Sequence, residues 1–235
     1  YLPVYFQAAL MQSPVKSGVS LFGTVFTTTP GAVVCGVSVG IFNIYRPQNL
    51  VGWVLTVVGL GLFTLLKVST PKAQWVGFQI IEGVGLGILY AAPTFPILAP
   101  LPVSENAHAL AFFAFVKSYS QTWGVTIGAT ILQNELKTKL PNAFLDMFPA
   151  KGVDITYAAI PQIPSLPEPL RTEVRNAFAR SLRVIWLAMI GICGVGLFCV
   201  LLMKDVKMHE VTDEDWGMEG RKKTEVDGER NRANP

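Results

Sequence analysis

"VGFQIIEGVGLGILYAAPTFPILAPL", Val76–Leu101, carries one charged side chain, Glu82, in a run otherwise made of apolar residues, glycines, prolines and a few uncharged polar groups. A helix needs about 20 mostly apolar residues to cross the hydrocarbon core of a bilayer, and this run is long enough. In water its glycines would weaken a helix; in lipid they let neighbouring helix backbones approach. The stretch reads as a membrane span that packs along a glycine face. Four further segments read the same way: Val19–Phe42, Leu50–Leu66 and Val184–Met203 have no charge, and Ala107–Asn134 has one base, Lys117. The connections "NIYRPQN", "VSTPKAQW" and "PVSEN" are turns between spans. Tyr1–Leu10, apolar and bearing Tyr1 and Tyr5, reads as the interfacial end of a further span, as expected of a piece of a longer protein.

The chain is 51% hydrophobic and 15% charged, against about 25% charged in soluble domains. Its Lys and Arg are scattered, with no basic stripe for phosphate neutralisation, which argues against nucleic acid as a partner. Cys35, Cys193 and Cys199 lie in apolar runs without metal-ligand spacing and read as small core hydrophobes; no metal site is signalled. With no Ser/His/Asp set, metal cluster or nucleotide fingerprint, the sequence points away from an enzyme.

The expected fold is an all-α membrane bundle over residues 1–203, five complete transmembrane helices plus the end of a sixth, followed by a charged, disordered tail over 204–235. A long extramembrane connection, 135–183, interrupts it. There the prolines of "IPQIPSLPEPL" favour extended backbone, and "LRTEVRNAFARSLRVIW" has the spacing of an amphipathic helix, either lying at the interface before the last span or simply solvated.

An ionisable side chain inside a span costs about 2.5 to 3.5 kcal/mol on insertion scales for Asp, Lys or Arg at a helix centre, so it calls for a partner, a wet cavity or a function. Glu82 is a candidate for binding a proton or a cationic substrate, or it stays solvated near the headgroups. Lys117 either snorkels to an interface or pairs with an acid elsewhere. Gln7, Gln79, Tyr90, Gln121 and Trp123, with Tyr119 and Asn134, suit a mostly apolar cavity with a few placed polar groups. Helix packing is expected at Gly36 and Gly40, at Gly83 and Gly87, and at Gly124 and Gly128, each pair at small-x-x-x-small spacing.

The runs "YLPVYFQA", "SPVKSGVSL", "GFQIIEGVGLGILYAAPTFPILAP", "AFFAFVKSYSQTWGVTIGATILQNEL" and "SLRVIWLAMIGICGVGLFCVLLM" together resemble the C-terminal half of a major facilitator superfamily transporter, more narrowly the fungal drug:proton antiporters with fourteen spans. The resemblance implies that Tyr1–Leu10 ends span nine and that the five segments are spans ten to fourteen. It further implies export of small organic molecules driven by a proton gradient with no bound cofactor, a partner N-terminal half, and residence in the lipid bilayer of the plasma or vacuolar membrane, with the plasma membrane favoured. The alternative is a truncated, non-transporting membrane protein or a regulatory partner of another facilitator. Two departures stand out: the family usually has Arg where Lys117 stands, and a glycine pair near "YSQTWG" where this chain has Gln121, Thr122 and Trp123. The family's Gly-Asp-Arg loop and Gly-Pro antiporter motif, both of the N-terminal half, are absent here. The family topology puts the tail in the cytosol, whereas the Lys/Arg count, dominated by the amphipathic segment, favours the reverse; the family topology is adopted.

Overall fold

Prolines stand at the start of most of the helices. The computed structural model describes residues 1–147, 158–204 and 206. Helix α1 (Leu2–Val4) runs into a π-helical turn, Tyr5–Ala9. Ser13 then caps α2 (Pro14–Ser20), its Oγ accepting the Lys16 N–H at 3.3 Å, with Pro14 where a missing N–H costs nothing. After α3 (Phe22–Phe42), Asn43 takes the left-handed conformation at φ 52°, which ends the helix. There follow α4 (Arg46–Phe63), α5 (Lys72–Ala91), α6 (Thr94–Leu98), α7 (Asn106–Lys139), α8 (Asn142–Met147), a 3-10 turn at Ile160–Ser165 and α9 (Leu170–Leu202). Among the described residues no β-strand occurs.

Among the described residues, three helical stretches are long and apolar enough to cross a membrane, Pro14–Phe42, Lys72–Leu98 and Leu170–Leu202. Of the five complete spans expected from sequence, three meet this criterion of length and composition. Helix α4 has only 18 residues and spends its first turn on Arg46, Gln48 and Asn49; α7 threads Lys117, Gln121, Gln133 and Asn134 through 34 residues. The proline-rich stretch also departs from expectation. Pro161 and Pro164 enter a 3-10 turn because their fixed φ fits it, and extended backbone is confined to its end, where Leu166 precedes Pro167 at ψ 143°. The amphipathic segment is not a separate interfacial helix: it is the first half of α9. Residues 148–157 of the long connection, and the expected tail apart from Lys204 and Val206, lie outside the described residues.

Helix α5 is wedged between α3 and α4, α9 packs on α4, and α7 on α9. The core divides in two. At one end the opening turns, α4, α5 and α9 bury aromatic side chains, with Phe6 against Trp75 at 4.9 Å and Phe63 against Trp186 at 5.3 Å between ring centres. At the other, Cys35, Val39, Tyr45, Ala92 and Ala99 form a smaller cluster. The Arg46 guanidinium donates to the Leu201 carbonyl at 3.0 Å, satisfying one of the carbonyls left open at the end of α9. Outward faces are apolar: Phe26, Val34 and Ile41 on α3, and Val195, Phe198 and Leu202 on α9, are exposed. In water so much exposed apolar surface would be a liability; against acyl chains it is matched. The chain is an integral membrane protein.

Candidate functional site

The junction of α3, α4 and α5 is tight because glycines line it. A Cβ at Gly83 would overlap Thr24 and Thr27 of α3; at Gly87 it would overlap Thr28 and Ala32; at Gly85 it would fall 2.7 Å from Thr56 of α4. On α4, a Cβ at Gly59 would fall 2.7 Å from the Cα of Glu82 itself. This closeness buries polar side chains without bulky neighbours to separate them. Gln79 is wholly buried, its Oε1 accepting from the Thr24 N–H and hydroxyl at 3.3 Å each. Glu82 is 7% exposed and Thr56 4%. Glu82 Oε2, Gln79 Nε2 and Thr56 Oγ1 are buried with no hydrogen-bond partner. A buried polar atom left unpaired costs about 1 to 3 kcal/mol, more for a charged group, so three in one junction mark a place where a proton, a water or a ligand group has something to bind.

The remaining sequence-predicted residues do not join them. Tyr90, at the far end of α5, is exposed, and its ring takes the Lys117 ammonium at 3.7 Å from the ring centre, so Lys117 finds a π-face on α5 rather than an acid. Gln121, Trp123 and Tyr119 lie on the exposed side of α7, with the Tyr119 and Trp123 rings edge-on at 6.1 Å. Asn134 is exposed further along α7, and Gln7 is half-buried in the opening π-turn. A separate cleft of about 510 Å³ between α3, α4 and α5, lined by Phe26, Pro30, Val34, Val51 and Ile88, is lined by none of these candidates. The single cavity lined by all of them is thus not what the geometry presents: it divides them into a buried pair, Gln79 and Glu82, a surface pair, Tyr90 and Lys117, and outlying residues.

The packing glycines divide too. Gly83 and Gly87 meet α3, and Gly128 meets the Tyr1 ring, whose hydroxyl donates to the Val125 carbonyl at 2.5 Å. Gly36, Gly40 and Gly124 face open space, because the sides of α3 and α7 that carry them meet no other described helix. Of the cysteines, Cys35 is buried, Cys193 half-buried and Cys199 exposed, so Cys199 is not a core residue here.

Known proteins place this architecture. The chain is 34% identical over 94% of its length to the MFS-type transporter pydD of Acremonium sp, and 34% identical over 93% to the acurin A biosynthesis cluster MFS-type transporter of Aspergillus aculeatus. It is 32% identical over 94% to efflux pump FUS6 of Gibberella moniliformis. The chain belongs to the major facilitator superfamily. This facilitator chain spans about 40% of the length of those relatives. No family model and no solved structure matches it.

In the facilitator chain, Thr24, Thr56 and Gly59 belong to the site as much as Gln79 and Glu82 do, and sequence reading passed over them. Thr56 and Gly59 stand three apart on α4, a spacing that puts two small residues on one face, but nothing in the sequence says that this face meets Glu82.

Proposed function

We propose that this chain is the C-terminal part of a proton-coupled exporter of small organic molecules, and that Glu82 is the group that takes up and releases the proton. One observation carries the reading: Glu82 Oε2 is buried without a hydrogen-bond partner at a three-helix junction beside other unpaired polar atoms. A carboxylate held there is costly when charged and tolerable when neutral, so its proton occupancy is coupled to how open the junction is. When neighbouring helices part, water reaches the carboxylate and favours release; when they close, the protonated form is favoured. Alternating exposure of this kind converts a proton gradient into cycling between two sides. The relatives' names support the cargo: one is called an efflux pump and another belongs to a biosynthesis cluster, so the substrate class is a small organic product. An N-terminal half supplies the rest of the transport path, and the plasma membrane is the site of export.

The test uses the full-length gene product in vesicles with an imposed pH gradient and a panel of lipophilic organic probes. Gradient-driven probe movement in wild type, with Glu82→Gln moving probe at a rate indifferent to the gradient, is the expected result. Retention of full gradient dependence in Glu82→Gln removes Glu82 from the mechanism, and inertness of the wild type returns the non-transporting reading.

A further inference from the structure

At the membrane end where α4 finishes and α9 begins, a cleft of about 630 Å³ is lined by Lys67, Ser69, Asn176, Arg180 and Arg183, and it adjoins a smaller one of about 440 Å³ that shares Asn176 and Arg180. Three cations thus face one cleft. Among the described residues none of the three makes an ion pair, and two acids are spent elsewhere, Glu135 on Lys139 at 2.5 Å and Glu168 on Arg171 at 2.8 Å. Glu173 lines only the smaller cleft and pairs with no cation within 4.0 Å. The cleft floor is firm. The Tyr5 hydroxyl donates to the Lys67 carbonyl at 2.8 Å, the Lys67 N–H donates to Thr70 Oγ1 at 2.8 Å, and Arg175 Nε ties α9 to the Ala9 carbonyl at 2.8 Å.

We infer that this cleft is a binding site for the phosphate of a membrane lipid headgroup. Two guanidinium groups three residues apart on one helix, with an ammonium and a hydroxyl opposite, offer the forked donors and net positive charge that a phosphodiester accepts. What favours a lipid over a free anion is what lies directly below. Arg180, Arg183 and Leu187 fall on one face of α9, Leu187 is 51% exposed, and Leu65 beside the Lys67 turn is 54% exposed. Arg183 is the last charge before the uncharged stretch Val184–Met203, so the headgroup sits at the polar boundary while its acyl chains follow Leu187 and Leu65 into the hydrocarbon. The three cations remain unpaired because their counter-charge is in the bilayer.

The test purifies the full-length gene product in detergent, adds phosphatidylglycerol or phosphatidylcholine, and reads retained lipid by native mass spectrometry. Wild type should hold phosphatidylglycerol, and Arg180→Gln/Arg183→Gln should bind it about thirtyfold more weakly, as loss of two cations beside an anionic headgroup implies. Lys204→Gln, at the opposite membrane end, should bind as wild type does, which separates a site from general charge. Far-ultraviolet circular dichroism on each variant separates lost binding from lost folding, and Arg180→Lys/Arg183→Lys, which keeps the charge, should recover part of the affinity. Equal retention by the Gln double variant and wild type overturns the site. Displacement of the lipid by millimolar inorganic phosphate, or equal binding of glycerol phosphate, overturns the lipid as occupant. These readouts are independent of transport, so the site stands or falls apart from the role of Glu82.

Discussion

Helices α5 and α7 begin from similar sequence material and end in different situations. Each has one ionisable side chain in the body of an apolar helix and a glycine pair at small-x-x-x-small spacing. On α5 the glycines are occupied on two sides, Gly83 and Gly87 by α3 and Gly85 by α4, and Glu82 is drawn into the interior. On α7 only Gly128 is met, by Tyr1, while Gly124 faces open space and Phe115, Tyr119 and Trp123 turn outward. The glycine spacing is permission for close approach; whether it is used depends on the neighbour. Helix α3 brings Thr24, Thr27 and Thr28 to α5, small residues whose backbones can come near, and α7 has no such partner among the described helices.

The largest expected effect that bears on this contrast comes from the glycines. Gly83→Val should cost at least about 1 to 3 kcal/mol through overlap with the Thr24 backbone. Gly124→Val should cost nothing, or gain a few tenths of a kcal/mol because Val is the better helix former. The folded fraction after heating in detergent, followed by size exclusion, compares them, and equal losses would break the contrast. Next comes the interior acid. Glu82→Met removes an unpaired buried carboxylate and should leave the fold more heat-resistant by about 1 to 2 kcal/mol while abolishing gradient-dependent transport. A less stable Glu82→Met would mean that the carboxylate has a partner in the assembled protein.

A smaller effect is expected at Lys117. Lys117→Met loses the contact with the Tyr90 ring and should cost about 0.5 to 1 kcal/mol, with Tyr90→Leu costing the same and the double variant no more than either. Additive losses would show that the two side chains act separately. The smallest effect lies outside the membrane. Glu168 accepts from Thr172 and Arg171, and these hydrogen bonds, that of Thr172 first, hold its carboxyl below the ordinary carboxylate range. Because its folded value is depressed, the stability it lends to the start of α9 is present above the unfolded carboxylate value and is lost as pH falls through the folded one. Protection of the Thr172 amide against exchange, taken relative to its intrinsic rate at each pH, should therefore fall in acid, and in Glu168→Gln it should no longer follow this carboxylate.

How much of this could be read in advance differs from element to element. The end of α3 at Phe42 was legible, because Asn43 and the polar connection after it are local signals, whereas the run Val76–Leu101, read as one span, is α5 from Lys72 to Ala91 followed after Pro93 by α6. The first half of α9 was legible as an amphipathic helix but not as continuous with the last span, since nothing in "SLRVIW" marks a break or forbids one. The 3-10 turn at Ile160–Ser165 was missed because proline excludes α-helix interiors and extended ladders alike, and which permitted form it takes depends on what the turn packs against, here Ile163 buried in the aromatic core. At the site, Glu82 stood out as the one acid in its run. Its companions did not, because Thr56 and Gly59 are unremarked small residues until α4 is laid against α5.

Composition and periodicity alone determined that the chain is helical, that it lives in lipid and where most helices turn, because those properties depend on transfer free energies and on residues adjacent in sequence. The tertiary structure decided which glycines are used, which of two lone charges is buried, and that Lys67 shares a cleft with Arg180 and Arg183. Such outcomes depend on contacts between residues far apart in the chain, and their free energy exists only once the helices have docked.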